Sequence, residues 1–253
     1  MTVDFILENN SVEMMDYIGY KLREKGRNEN MIFENYDRIV FAGDSVTDME
    51  STQPVGEGLF DNLGRSYVRI IENMLSTWYP EVMLRVTNSG TSGNTSRDLL
   101  QRFQRDVLDL NPDWVFICIG INDVWRQFDC PAILDAQVTP EEYAANMEKM
   151  IGSLKGKVKG AFIITPYYME PNPDDWMRKR MDEYGAICRE LAQKHECGFI
   201  DLQSVFNQYF TFRHSSYIAW DRIHPNQIGA TIIAREILKH CGFDYEHTAM
   251  KVR

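Results

Sequence analysis

The chain reads as an α/β protein built on a parallel sheet with helices on both faces, and three observations lead there. Apolar, β-branched runs alternate with longer amphipathic stretches, the pattern of βα units feeding a parallel sheet. Those runs are apolar along their whole length rather than at every second residue, which means burial on both faces. Finally, the 253 residues are 44% hydrophobic and 25% charged. That is enough for a sizeable core, and it excludes the disordered, collagen-like and disulfide-scaffold classes.

In chain order, residues 1–35 read as an N-terminal arm with one candidate helix over 11–25, closed by Gly26, and residues 36–253 as the main domain. Strands are expected at 38–42 (RIVFA), 84–87, 114–119 (WVFICI), 160–165 (GAFIIT) and 198–202. Helical patterns fall between and after them, at 64–78, 95–110, 140–154, 174–195 and 226–240. Thr139 followed by Pro140 is an N-cap followed by a first helical position, where the missing N–H of proline costs nothing. The insertion at 129–138 has no assigned element. No internal repeat, low-complexity tract or composition break divides the main domain.

Charge and cysteine usage narrow the partners. Lys and Arg number 27 against 37 Asp and Glu, a net charge of −10, so phosphate backbones and anionic membranes find no attracting field. The five cysteines are odd in number, widely spaced and without a C-x-x-C pair, which argues against a disulfide framework and a zinc site and for a reducing compartment. No basic segment followed by an apolar one opens the chain, and no apolar run approaches the roughly 18 residues of a spanning helix. The expectation is a cytoplasmic, soluble protein acting on a small molecule, with no nucleic-acid or membrane partner, no metal and no cofactor.

Four short blocks carry the chemistry. The first strand ends in Gly43-Asp44-Ser45-Val46-Thr47-Asp48, placing a serine at the carboxyl end of a parallel strand, where α/β sheets form their ligand crevices. The second is followed by Asn88-Ser89-Gly90-Thr91-Ser92-Gly93-Asn94-Thr95, and the third by Gly120-Ile121-Asn122-Asp123. Taken singly each is an ordinary turn, since Asp, Ser, Asn and Gly are also turn and cap formers. Near the C-terminus stands Asp221-Arg222-Ile223-His224-Pro225. A D-x-x-H turn can bring its carboxylate onto Nδ1 of its own histidine and leave Nε2 free to take a proton from a serine. His195, His214, His240 and His247 have no such companion.

Together and in this order, the four blocks resemble those of the SGNH (GDSL) hydrolases. The resemblance implies a flavodoxin-like three-layer α/β/α sandwich with a five-stranded parallel sheet. It also implies Ser45 as nucleophile, His224 as base, Asp221 as its orienting acid, and an oxyanion hole made by the backbone N–H groups of Ser45 and Gly93 with the Asn122 amide. Each role suits its group: a serine hydroxyl needs a base to attack, and the oxygen that gains charge needs fixed donors. Gly93 is expected to allow a backbone approach that a Cβ would hinder. The segments SGNTSRDL, PDWVFICIGINDVWRQ, ITPYYMEPN and AWDRIHP are further similar to intracellular bacterial acetylxylan esterases, over about residues 36–245.

Aromatic residues near the blocks, Trp125, Tyr167 and Trp220, are candidate sugar-stacking faces, with Asp44, Glu57 and Arg126 as further lining candidates. The alternative reading of the aromatics is interior filling or a subunit contact, so a homo-oligomer stays open. Three functions are compared: an acetyl esterase on acetylated xylo-oligosaccharides, a lysophospholipase or acyl-thioesterase on the same scaffold, and a non-catalytic sugar-binding module. The last would not need Ser45, Asn122, Asp221 and His224 all intact.

Overall fold

The computed structural model describes residues 31–58, 60–247 and 249; the helix expected over 11–25 lies outside them. The elements are β1 (Arg38–Gly43), α1 (Ser45–Asp48), β2 (Gly56–Glu57), α2 (Tyr67–Trp78), β3 (Arg85–Gly90), α3 (Ser96–Asp106), β4 (Trp114–Cys118), α4 (Ile121–Asp129), α5 (Pro140–Leu154), β5 (Gly160–Ile164), α6 (Trp176–His195), β6 (Gly198–Ile200), α7 (Leu202–Phe210) and α8 (Gln227–His240). All five expected strands and all five expected helices are present. The sheet has one strand more than expected, in the order β2-β3-β1-β4-β5-β6. The additional strand, β2, has two residues and pairs antiparallel to β3 at the edge, while the other five run parallel. Two residues hold no periodicity to detect.

From β1 the chain moves outward to β3 and then crosses back to β4 on the other side of β1. This reversal opens a crevice at the carboxyl ends of β1, β3 and β4, the switch point at which α/β sheets bind ligands. The central strands are buried along their length, with helices α2, α7 and α8 packed together as one layer and α3, α5 and α6 as the other. Among the described residues no helix is long and apolar enough to cross a membrane.

Caps fix where the helices begin. Thr139 accepts from the Glu142 N–H ahead of Pro140, Thr95 and Asp98 form a reciprocal capping box on α3, and Asn226 caps α8; each satisfies donors that the first turn leaves open. The unassigned insertion continues from α4 into a 3₁₀ turn at Leu134–Ala136. Before β1, the Ile32 N–H donates to the Cys241 carbonyl, and Phe33 packs edge-on against Trp114 and Phe116.

A file of stacked rings crosses the sheet centre. Phe116 on β4 lies between Phe41 on β1 and Phe162 on β5, with ring centroids 4.8 Å apart on each side. Truncating a ring in such a place removes its contacts and leaves a cavity, at a cost of about 3–5 kcal/mol. Phe116→Ala should therefore lower the unfolding free energy by that amount, read as a lower urea midpoint at an unchanged denaturant slope. A loss below 1 kcal/mol would show that the file does not organise the core.

Candidate active site

Three strand ends and one loop build the site. After Gly43 the chain turns straight into α1: Asp44 Oδ1 accepts from the Val46 N–H at 3.0 Å, and Ser45 is the helix's first residue. The loop before α8 folds around a carboxylate. Asp221 Oδ1 accepts from the N–H groups of Ile223 and His224 at 3.0 and 2.8 Å, with Arg222, the residue after Asp221, in the left-handed region at φ 63°. Asp221 Oδ2 then lies 2.6 Å from His224 Nδ1. The imidazole's other nitrogen, Nε2, lies 2.8 Å from Ser45 Oγ. With Nδ1 donating to the carboxylate, Nε2 is the side that accepts a proton.

The loop is held from below as well. The buried Tyr167 hydroxyl donates to the Ile223 carbonyl at 3.1 Å, the Met169 N–H donates to the Arg222 carbonyl at 2.9 Å, and the Arg222 guanidinium pairs with Glu170 at 2.6 Å. Burial pushes the Asp221 carboxyl up, but hydrogen bonds from the His224 ring and from the Ile223 and His224 N–H groups outweigh it and leave the group below its ordinary value. Asp221 is thus an anion wherever His224 needs one.

Gly93 stands at φ 82°, and a Cβ built there would meet nothing within 4 Å. Crowding by the protein's own atoms is therefore not what calls for glycine here; the left-handed backbone conformation does. Asn122 is 3% exposed. It sits in the first turn of α4 and gives one amide hydrogen to the Asn94 carbonyl at 2.9 Å, which fixes the side chain and leaves the second hydrogen available. Among the described residues no group accepts from the backbone N–H of Ser45 or Gly93. Ser45, Gly93 and Asn122 are thus at adjacent strand ends with donors to spare.

Two buried carboxyls flank this arrangement. Burial lifts Asp44 from 3.8 to about 7, partly offset by the Val46 N–H, and among the described residues its Oδ2 has no hydrogen-bond partner. Burial likewise lifts Asp123 to about 6, against hydrogen bonds from the Ser96 hydroxyl and N–H.

The remaining lining candidates separate. Half-buried Trp125 lies edge-on to His224 with centroids 5.9 Å apart, and Arg126 covers its ring at 4.8 Å while pairing with Asp129 at 2.7 Å. Trp220 is 88% exposed beside Asp221, which excludes the interior-filling reading. Three candidates are corrected. Tyr167 is fully buried against Phe206, so it supports the histidine loop and offers no face to a ligand. Glu57 sits on β2 opposite Thr87, below the strand ends, with its carboxylate taken by Arg85 at 2.8 Å and by Thr87 at 3.0 Å. Asp44, buried at 1% exposure, likewise has no surface with which to line a pocket.

Three further residues tie the blocks together. Arg102 on α3 reaches the carbonyls of Gly43 and Ser89 and the side chain of Asn94, at 2.9, 3.0 and 2.6 Å. Asp123 accepts from the Ser96 N–H and hydroxyl. Asp48 joins α1 to the Ser92 hydroxyl at 2.6 Å. Asp48 and Asp123 are adjacent to recognised motif residues, but a single sequence carries no signal for Arg102.

Comparison with known proteins follows the same residues. Residues 41–232 match the model of the GDSL-like Lipase/Acylhydrolase family. An acetylxylan esterase of Geobacillus stearothermophilus is 42% identical over 209 residues, 83% of this chain and 95% of that protein. An arylesterase of Vibrio mimicus is 24% identical over 192 residues, 72% of this chain and 87% of its own length. The crystal structure of the Geobacillus enzyme, Axe2, superposes with a TM-score of 0.83 at 42% identity, covering 85% of this chain and 98% of that one. An α/β hydrolase from the metagenome of Lake Arreo, LAE5, gives 0.82 at 44% identity, covering 84% and 98%.

The Asp44 carboxyl makes stability depend on pH. In the fold it keeps its proton to about pH 7, whereas its ordinary value is 3.8. Its contribution to stability is complete below that ordinary value and is lost as pH rises through the folded one. Asp44→Asn, neutral throughout, has no such loss. Its stability relative to wild type should climb between about pH 4 and pH 7 and level off above, read from urea midpoints; a difference independent of pH would contradict the buried, unpartnered carboxyl.

Proposed function

Because this chain belongs to the GDSL-like lipase/acylhydrolase family, and is thereby a carboxylic ester hydrolase, we propose that it removes acetyl groups from acetylated xylo-oligosaccharides or closely related sugars through an acetyl-serine intermediate. The observation that carries the chemistry is the continuous relay from Ser45 Oγ through His224 to Asp221, at 2.8 and 2.6 Å. The sugar is supported by the 42% identity to an acetylxylan esterase across most of both chains.

The steps follow from the geometry. Ser45 Oγ attacks the acetyl carbonyl carbon as His224 Nε2 takes its proton, and Asp221 stabilises the imidazolium. The carbonyl oxygen, now carrying the negative charge, accepts from the Ser45 and Gly93 N–H groups and the free hydrogen of the Asn122 amide. As the intermediate collapses, the C–O bond to the sugar breaks, and His224 returns the proton to the leaving sugar oxygen. Water then repeats the attack on the acetyl-enzyme with His224 as base, releasing acetate and restoring Ser45. No step calls on a metal or cofactor.

Trp125 and Trp220 beside the relay offer ring faces to a neutral sugar. The free thiols of all five cysteines support action in a reducing, cytoplasmic compartment. Lipid and thioester substrates are not favoured.

Ser45→Ala should lower kcat by on the order of 10⁴ to 10⁶ with an unchanged melting temperature; a variant retaining a tenth of the activity would remove Ser45 from this role. Asn122→Ala should lower kcat by roughly 10² to 10³ at nearly constant KM. A parallel collapse of stability would mark the residue as a turn former instead. Across 4-nitrophenyl esters, kcat/KM should fall steeply beyond acetate or propionate. If longer chains found room, each methylene would instead add about 0.8 kcal/mol of transfer free energy, so rising activity through the C8 ester would favour the lipid reading.

A further inference from the structure

The loop that carries Gly93 is open at its tip and tied at its two flanks. Ser92 and Gly93 are exposed, and space is open around the Gly93 Cα. Yet the Gly93 N–H must stay registered with Ser45 Oγ, since a donor is worth its full effect only where the charge develops. On the downstream side, Asn94 is fixed by Arg102 and Asn122. On the upstream side the anchor is Asp48, the last residue of α1, the helix that begins with Ser45.

The Asp48 carboxylate is 8% exposed, and its two oxygens serve different partners. Oδ1 accepts from the Ser51 N–H and hydroxyl and from Gln53 Nε2, at 3.0, 2.9 and 3.0 Å. Oδ2 accepts from the Ser92 hydroxyl at 2.6 Å and from the Ser92 N–H at 3.3 Å. Gln53 extends the clasp by donating to the Gly90 carbonyl at 3.0 Å and accepting from the Thr91 hydroxyl at 3.2 Å. The end of β3 lies hard against α1: a Cβ on Gly90 would come within 2.2 Å of the Asp48 backbone nitrogen.

We infer that Asp48 is a positioning residue for oxyanion stabilisation: anchored on the nucleophile's own helix, its Oδ2 grips Ser92 and so sets the Gly93 N–H at a constant place relative to Ser45 Oγ. The inference rests on the reading of Ser45 as nucleophile and Gly93 as donor. It adds the residue that makes the two move as one body. The arrangement places a buried charge under an exposed loop, where five donors converge on two oxygens, so the carboxylate is satisfied without a cation.

The chemistry of the two oxygens provides a selective test. In Asp48→Asn the amide oxygen can keep the Ser51 and Gln53 contacts, while the Ser92 N–H meets a donor in place of an acceptor. A misplaced donor costs less than a missing one, so kcat on acetylated xylose should fall roughly 10- to 100-fold with KM within about threefold. Ser92→Ala should lower kcat in the same direction and add little in the Asp48→Asn background, because residues acting through one contact are not additive. Ser51→Ala, which removes a donor to Oδ1 and none to Oδ2, should keep kcat within twofold.

Wild-type kcat in Asp48→Asn, or losses from Asp48→Asn and Ser92→Ala that multiply in the double variant, would overturn the inference. If Asp48→Asn does not fold, Ser92→Ala alone decides: an unchanged kcat overturns it, and a loss of at least threefold with KM preserved supports it. Ser45→Ala run alongside separates the two levels. Turnover lost there but untouched by Asp48→Asn removes only the positioning role; turnover retained in Ser45→Ala removes the reading beneath it as well.

Discussion

A serine hydroxyl attacks an ester only if its proton has somewhere to go, and here that destination is the 2.8 Å contact between Ser45 Oγ and His224 Nε2, which joins residues 179 positions apart in the sequence. Everything else at the crevice serves that contact. The sheet order supplies the place, because β1 has β3 on one side and β4 on the other at the point where the chain reverses. The histidine loop supplies the angle: one Asp221 oxygen shapes the turn and the other holds the ring. Tyr167 and Met169 then hold the turn from beneath.

Holding four loops against one another in a crevice requires polar groups in the interior, and burial of an ionisable group is unfavourable unless it is satisfied. The site resolves this in three ways. Asp48 and Arg102 are partnered at nearly every position and act as ties between strand ends. Asp221, partly open to solvent, is kept ionised by the donors around it. Asp44 is paired on one side alone: Oδ1 accepts from the Val46 N–H, Oδ2 has no partner among the described residues, and the carboxyl holds its proton to about pH 7. Functional sites commonly keep such locally unfavourable groups because the surrounding fold over-determines their positions.

The parallel strands were legible because burial on both faces writes itself as unbroken apolar runs, and the long helices because their caps and periodicity agree. Legibility failed where polar residues belong to the architecture. β3 runs on to Gly90, beyond the expected end at 87, since Thr87, Asn88 and Ser89 are buried with partners, Asn88 donating to the Thr47 carbonyl at 2.7 Å. Helix α4 begins inside the Gly120–Asp123 block, and α7 follows β6 so closely that its first residue, Leu202, prolongs the strand's apolar pattern. The same polar blocks that obscured the boundaries disclosed the chemistry, because Asp-x-x-His is a local arrangement whose geometry follows from its spacing. Tyr167 and Glu57 show the limit: residue type and place along the chain do not give the direction of a side chain.

The central claim is that Ser45 is the one hydroxyl activated by a base. Labelling with a small phosphonofluoridate and peptide mass spectrometry tests it directly, since phosphonylation requires both an activated nucleophile and donors for the phosphoryl oxygen. A single adduct is expected, on Ser45, formed rapidly in the wild-type protein and at least a hundredfold more slowly in His224→Ala. An adduct on another residue, or a Ser45 adduct that forms equally fast without His224, would contradict it.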